Sequence, residues 1–243
     1  MRENPRFTYD AGGVIRADRK KRALALVFTG GYVSEELPRI LDTFKAHDVK
    51  GSFYFIGDFL RTPDFHDDIR RIVDEGHLLG PHSDHHPQLV SWDRKETLVK
   101  KADLFRDLDG NFRALAPFGV RKEQISHWIV PFEIYTQEVA AWCEEYGCRI
   151  FNYTPGTLSN SDWMEDDNKN FVPTDRIYAS ILEAERKDPD GLSGFFLLMH
   201  VGAGPKRTDK GMRRFTELVS HLKAGGYKMA TVEELLTPKE DEK

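Results

Sequence analysis

Cysteine is scarce in this sequence, with only Cys143 and Cys148 among 243 residues. The pair has no second cluster to complete a structural zinc site, and two ordinary buried thiols beside a helix end at Gly147 are expected. Long apolar runs are missing as well. None approaches the roughly 20 residues that span a bilayer, so no membrane partner is expected. The opening Met1 to Asp10 is polar and has no hydrophobic signal region, yet a periplasmic or secreted setting stays open because leaders are removed on export. A basic surface is also absent: the net charge is −5, and Arg19 to Arg22 and Lys206 to Arg207 stand isolated among acids. Nucleic acid is therefore not an expected partner. Gly30-Gly31 follows a strand and precedes a helix, but the full dinucleotide and phosphate-loop spacings are lacking, as is a Gly-x-Ser-x-Gly elbow.

What is present is 40% hydrophobic and 12% aromatic residues with dispersed charge, the profile of one large globular domain. Seven apolar, β-rich segments recur: 23–28, 51–56, 77–80, 127–131, 149–152, 194–200 and 227–231. Between them, 35–46, 64–75, 94–108, 135–146, 174–186 and 209–224 carry apolar residues at helical spacing. Such alternation predicts parallel β/α units, in an open doubly wound sheet or a barrel. Either arrangement gathers chemistry at the C-terminal ends of strands. Thr29, Asp58, His82, Glu133, Asn152 and His200 all fall there. The segment 154–172 is rich in Asn, Asp, Ser and Gly and reads as a loop over that rim.

Two clusters point to chemistry. In Gly80-Pro81-His82-Ser83-Asp84-His85-His86-Pro87, the imidazoles of His82 and His86 can converge on one ion, and neutral imidazole suits zinc, nickel, cobalt or iron. A histidine-rich surface turn is the plain alternative. In Phe195 to His200 a buried strand ends in an imidazole placed to give up a proton, although a structural, hydrogen-bonded histidine would look the same.

Together these residues resemble the polysaccharide deacetylase family, the NodB-homology domain of carbohydrate esterase family 4. The resemblance runs through Ala23 to Gly31, Leu37 to Gly57, His77 to Leu89, Leu197 to His200 and Leu218 to Leu236. It implies a distorted, incomplete TIM-like (β/α)7 barrel, with residues 1–22 as an N-terminal extension packing on it and 23–243 as the deacetylase-like domain. It further implies that His82 and His86 bind a divalent metal, zinc first, and that His200 is the general acid. The implied reaction is metal-dependent hydrolysis of an acetyl group from an N-acetyl amino sugar or O-acetyl glycan.

The sequence departs from the family's pattern at the residues that matter most. Phe28-Thr29-Gly30-Gly31 stands where the family has Phe-Asp-Asp-Gly, so Thr29 replaces the usual base and Gly30 the usual metal carboxylate. Ile129 to Glu133 replaces Arg-Pro-Pro-Tyr-Gly, and Val201 stands where an aspartate usually follows the histidine. Asp162-Trp163 matches a fourth motif loosely. The expected replacements are Asp58, as metal ligand or base although it can equally cap a helix, and Glu133, as base. Asp84 between the histidines is a third, weaker carboxylate. Thr29, Phe132 and Trp163 are expected to contact substrate, with a backbone N–H near Phe132 at the oxyanion. A carbohydrate-binding protein without activity is the alternative expectation, with Trp92, Trp128, Tyr135, Tyr153 and Trp163 as candidate sugar platforms.

Overall fold

A computed structural model describes residues 4–237. Residues 1–3 of the expected extension and 238–243 of the expected domain lie outside the described residues. All seven expected strands are found, some shorter than the apolar runs that announced them. The central sheet joins β3 (Ala23–Gly30), β4 (Ser52–Phe55), β5 (Leu78–Pro81) and β8 (Phe196–His200) in the order β5-β4-β3-β8, with β9 (Lys228–Met229) pairing the start of β3. Its pairings are parallel. Strands β6 (His127–Trp128) and β7 (Arg149–Ile150) form a separate parallel pair.

The gaps between these sheets make the barrel incomplete. No ladder joins β5 to β6; the ring nitrogen Nδ1 of His82 reaches Ile129 O instead, at 2.9 Å. Between β7 and β8 the N-terminal hairpin of β1 (Thr8–Asp10) and β2 (Gly13–Arg16) supplies the bridge. Asn152 N donates to Val14 O, and Ala17 N donates to Gly194 O. Segment 4–22 is therefore stitched into the wall, a role its composition did not announce.

Strand β3 is buried along its whole length, as a parallel strand covered on both faces must be. Its side chains alternate. Ala23, Ala25 and Val27 face an inner cluster with Tyr54, Phe151, Phe196 and Leu198, whereas Leu24, Leu26 and Phe28 face the outer core. There Phe28 stacks on Phe53 at 5.2 Å and meets Phe44 and Phe215 edge-on. Burying one such ring contributes about 1.5–3 kcal/mol. Outside the strands lie α1 (Leu37–His47), α2 (Gly57–Arg61), α3 (His66–Asp74), α4 (Lys101–Leu115), α5 (Gln137–Tyr146), α6 (Thr174–Lys187), α7 (Phe215–Ala224) and α8 (Val232–Leu236).

One helix is displaced from its expectation, 94–108. Ser91 Oγ accepts from the Lys95 and Glu96 amides, Arg94 sits at φ +59°, and Val90 bridges Thr97, so this stretch is a turn and α4 starts only at Lys101. The helix then runs through Gly110, where a Cβ would collide with the Asp84 carboxylate. Cys143 and Cys148 are free and buried, and Gly147 ends α5 in the left-handed conformation.

Candidate active site

The C-terminal rim of the barrel opens into a cleft of about 300 Å³ lined by Thr29, Gly30, His82, His86, Phe132, Glu133, Trp163 and His200, among others. Their positions follow from the strand ends. His82 comes directly after β5 and is almost fully buried; its amide donates to Asn111 Oδ1 and its Nδ1–H donates to Ile129 O. That tautomer leaves the Nε2 lone pair free. Burial, with His86 alongside, lowers the His82 pKa to about 3. The chain turns back through Ser83 and His86, both at positive φ, and Ser83 Oγ accepts the His86 amide. The two rings lie 5.0 Å apart. Burial, with His200 nearby, lowers the His86 pKa to about 4.

Two neutral imidazoles side by side, one oriented by a carbonyl behind it, suit a divalent ion with a preference for nitrogen. Their donor set is short. Among the described residues no group of three or more His, Cys, Asp or Glu side chains meets in a way that could hold a metal. An ion held here would draw two donors from the chain and the rest of its shell from water or ligand.

Asp58 does not supply the missing donor, which corrects the expectation of a replacement ligand or base there. Gly57 begins α2, and the helix turns the next side chain onto its own surface: Asp58 Oδ1 accepts from Arg61 at 2.8 Å and Oδ2 meets His85 Nδ1 at 3.1 Å. Burial pushes its pKa up, but those two bonds outweigh it and the net shift is down. Nor does it cap the helix, whose Ncap is Ile56. Asp84 points away with it, held by Arg61 at 2.7 Å and wedged between Gly57 and Gly110.

Glu133 does reach the cleft. Phe132 and Glu133 occupy the left-handed region in succession, at φ +58° and +57°, the kind of backbone cost of about 1–3 kcal/mol each that clusters at functional sites. The pair is pinned by Glu133 N donating to Val130 O at 3.1 Å and Asn152 Nδ2 donating to Glu133 O at 2.7 Å. Burial raises the Glu133 carboxyl to about 7, with His200 opposing. His200 ends β8, and the carboxylate of Asp162 grips it twice: Oδ1 accepts from Nδ1 at 2.7 Å and Oδ2 from the backbone N at 2.9 Å. Nε2 is thereby left for the cleft. Burial alone would lower the His200 pKa, but Asp162 and Glu133 together raise it.

Thr29 and Gly30 part company. The Thr29 hydroxyl is buried with no hydrogen-bond partner among the described residues. A Cβ at Gly30 would instead lie 2.7 Å from Val201 Cγ2 and 2.9 Å from the Phe55 ring, closer than real side chains pack. Trp163 is 47% exposed and 6.1 Å from the His200 ring; Phe132 packs against His86 at 4.4 Å and against the exposed Trp92 at 5.4 Å. Trp128 and Tyr135 are core residues. The partner of His200 was the residue least visible in the sequence, since Asp162 stands in an irregular segment and only its place before Trp163 marked it.

A family model described as polysaccharide deacetylase matches residues 16–151. The chain belongs to the polysaccharide deacetylase family. It is similar to an uncharacterized 30.6 kDa protein of Geobacillus stearothermophilus, 27% identical over 94% of this chain and 76% of that one. It is also similar to a peptidoglycan-N-acetylglucosamine deacetylase of Bacillus cereus, 24% identical over 92% and 71%. Among solved structures, a CE4 family pseudoenzyme from Bacillus anthracis superposes with a TM-score of 0.70 at 20% identity, covering 94% of this chain and 70% of that one. The fold is thus the distorted α/β barrel of that family.

Proposed function

We propose that this chain hydrolyses an acetyl group from an acetylated carbohydrate, either an N-acetyl amino sugar or an O-acetyl glycan. The observation that carries the reading is that Glu133 and His200 face one cleft with complementary protonation tendencies. A carboxyl near 7 is a base matched to neutral pH, and an imidazole kept protonated by a buried aspartate is an acid. In this reading Glu133 takes a proton from the attacking water, and His200 Nε2 delivers one to the departing amine or hydroxyl. Asp162 holds His200 in the tautomer that permits this. His82 and His86 would hold a divalent ion, with zinc the first choice and cobalt, nickel or iron the others, and that ion would polarise the acetyl carbonyl. Thr29, Phe132 and Trp163 contact the sugar.

The names of several relatives make peptidoglycan fragments and chitooligosaccharides the first substrates to try. The test is acetate release across pH with zinc, cobalt or nickel supplied. Release should rise through pH 7 as Glu133 loses its proton and fall at higher pH as His200 loses its own. Glu133→Gln should lose about 10²–10⁴ of the rate. Equal rates in Glu133→Gln and the parent would sink the base assignment.

A second reading, a sugar-binding relative without activity, is favoured by one observation: Val201 and Phe55 fill the place where the family's metal carboxylate would start. Oligosaccharide binding by calorimetry with no acetate under any of these conditions would favour it over hydrolysis.

A further inference from the structure

The segment 151–173, between β7 and α6, contains one short helical turn at Ser159–Ser161 and otherwise no regular structure, yet it carries Asp162 to His200 and Trp163 to the cleft. Irregular backbone that is partly buried must find donors for its carbonyls. One side chain, that of Arg207, supplies three of them, at Ser161, Met164 and Val172. Its side chain is fully buried, an uncommon state for a guanidinium. Nη1 donates to Met164 O at 2.8 Å and to Ser161 O at 3.4 Å, Nη2 to Val172 O at 2.8 Å and Thr174 Oγ1 at 3.4 Å, and Nε to Asp209 O at 2.7 Å. The guanidinium also lies over the Phe171 ring at 4.8 Å. Two of its acceptors, Ser161 and Met164, flank Asp162-Trp163 on either side.

We infer that Arg207 is a positioning residue, which pins the irregular segment so that Asp162 grips His200 and Trp163 reaches the cleft. The planar, five-donor fork explains why arginine and not lysine serves here, since the acceptors diverge from a single point. Burial lowers the Arg207 pKa, and the nearby carboxylates of Asp162, Asp209 and Asp166 oppose that cost only in part. A part in catalysis rests on the deacetylase reading above; the pinning itself does not.

The test is therefore made without substrate. The His200 Nδ1–H shared with Asp162 should give a downfield proton resonance, assigned by its loss in Asp162→Asn. Arg207→Ala should fold, lose or broaden that resonance, and exchange the amides of 161–172 at least about tenfold faster than the parent. Added guanidinium, well below denaturing levels, should restore both by occupying the vacated space, whereas ammonium should not. A folded Arg207→Ala with the parent's resonance and exchange would overturn the inference. If that variant fails to fold, Arg207→Lys decides by the same two readouts. Should neither fold, the parent decides: unprotected amides at Ser161, Asp166 and Phe171 would overturn it. An inert parent with a retained pin would leave this inference standing and remove only the deacetylase reading.

Discussion

Gly30 is the position at which the departure from the family can be put in energetic terms. It pairs with Phe55 at the end of β3, while Val201 N donates to Thr29 O, so its surroundings come from two neighbouring strand ends and cannot move independently. Gly30→Ala places a Cβ 2.7 Å from Val201 Cγ2 and 2.9 Å from two Phe55 ring atoms, with both residues fully buried. Overpacking of this kind costs about 1–3 kcal/mol, a large share of a total stability of about 5–15 kcal/mol. Gly30→Asp should cost more, because its carboxylate begins among apolar groups, and an unpaired buried charge adds several kcal/mol. Val201→Ala alone should cost about 2 kcal/mol through lost methyl burial and a small cavity. The two changes should not add: with Val201 trimmed the tightest contact is gone and only the edge of the Phe55 ring, 2.9 Å away, must yield, so the double-mutant cycle should show a coupling of at least about 1 kcal/mol in favour of the pair. Urea unfolding followed by circular dichroism measures this directly, given equal m-values. Additivity within about 0.5 kcal/mol would refute the reasoning, because position 30 would then not share space with Val201.

Other outcomes follow from the same geometry. His82→Ala should weaken zinc binding at least about tenfold by calorimetry, whereas His200→Ala should leave it within a factor of about two, since only the first removes a donor. Asp162→Asn should keep the fold, lower the His200 pKa measured by NMR, and slow acetate release about 10²-fold or more if His200 is the acid. Glu133→Gln should raise stability as pH increases. The folded carboxyl titrates near 7 and the unfolded one near its ordinary 4.5, so the parent bears a growing cost of ionisation between those values. The variant's advantage should be absent below pH 4.5 and reach about 3 kcal/mol above pH 7; a flat difference across that window would contradict the burial of Glu133.

Much of the architecture was legible because its signals are local. Parallel strands covered on both faces read as apolar runs, and helices between them show their own period, so all seven strands and most helices fell near their expected places. The failures share a cause, which is a polar side chain or turn acting at short range. Ser91 and the positive φ of Arg94 replaced the first two turns expected of α4. The N-terminal hairpin went unread because its two strands, which pair with each other, are only three and four residues long. In the site, His82, His86 and His200 were visible because each follows a strand, and strand ends have one place to point. Asp58 misled for the same reason: it follows β4 in sequence, but α2 begins at Gly57 and carries it off the rim.

Motif positions therefore divide into those whose side chains remain on the rim and those whose space has been taken. Thr29 belongs to the first kind. Its hydroxyl is buried without a partner among the described residues, and a buried hydroxyl left unpaired costs about 1–3 kcal/mol, a cost removed by any ligand or water that donates to it or accepts from it. Gly30 belongs to the second, since its neighbours have closed over it. Position 201 is one reason: a valine after His200 both removes the family's usual acid there and, together with the Phe55 ring, keeps residue 30 small. Two departures that look independent along the chain thus meet in one packed corner, where a carboxylate at 30 would have to displace both Val201 and Phe55. Glu133 comes instead from the strained turn after β6, beside Phe132, which packs on His86. In the deacetylase reading the chemistry accordingly falls to Glu133, His200, His82 and His86, which line one cleft, and not to a carboxylate on the first strand.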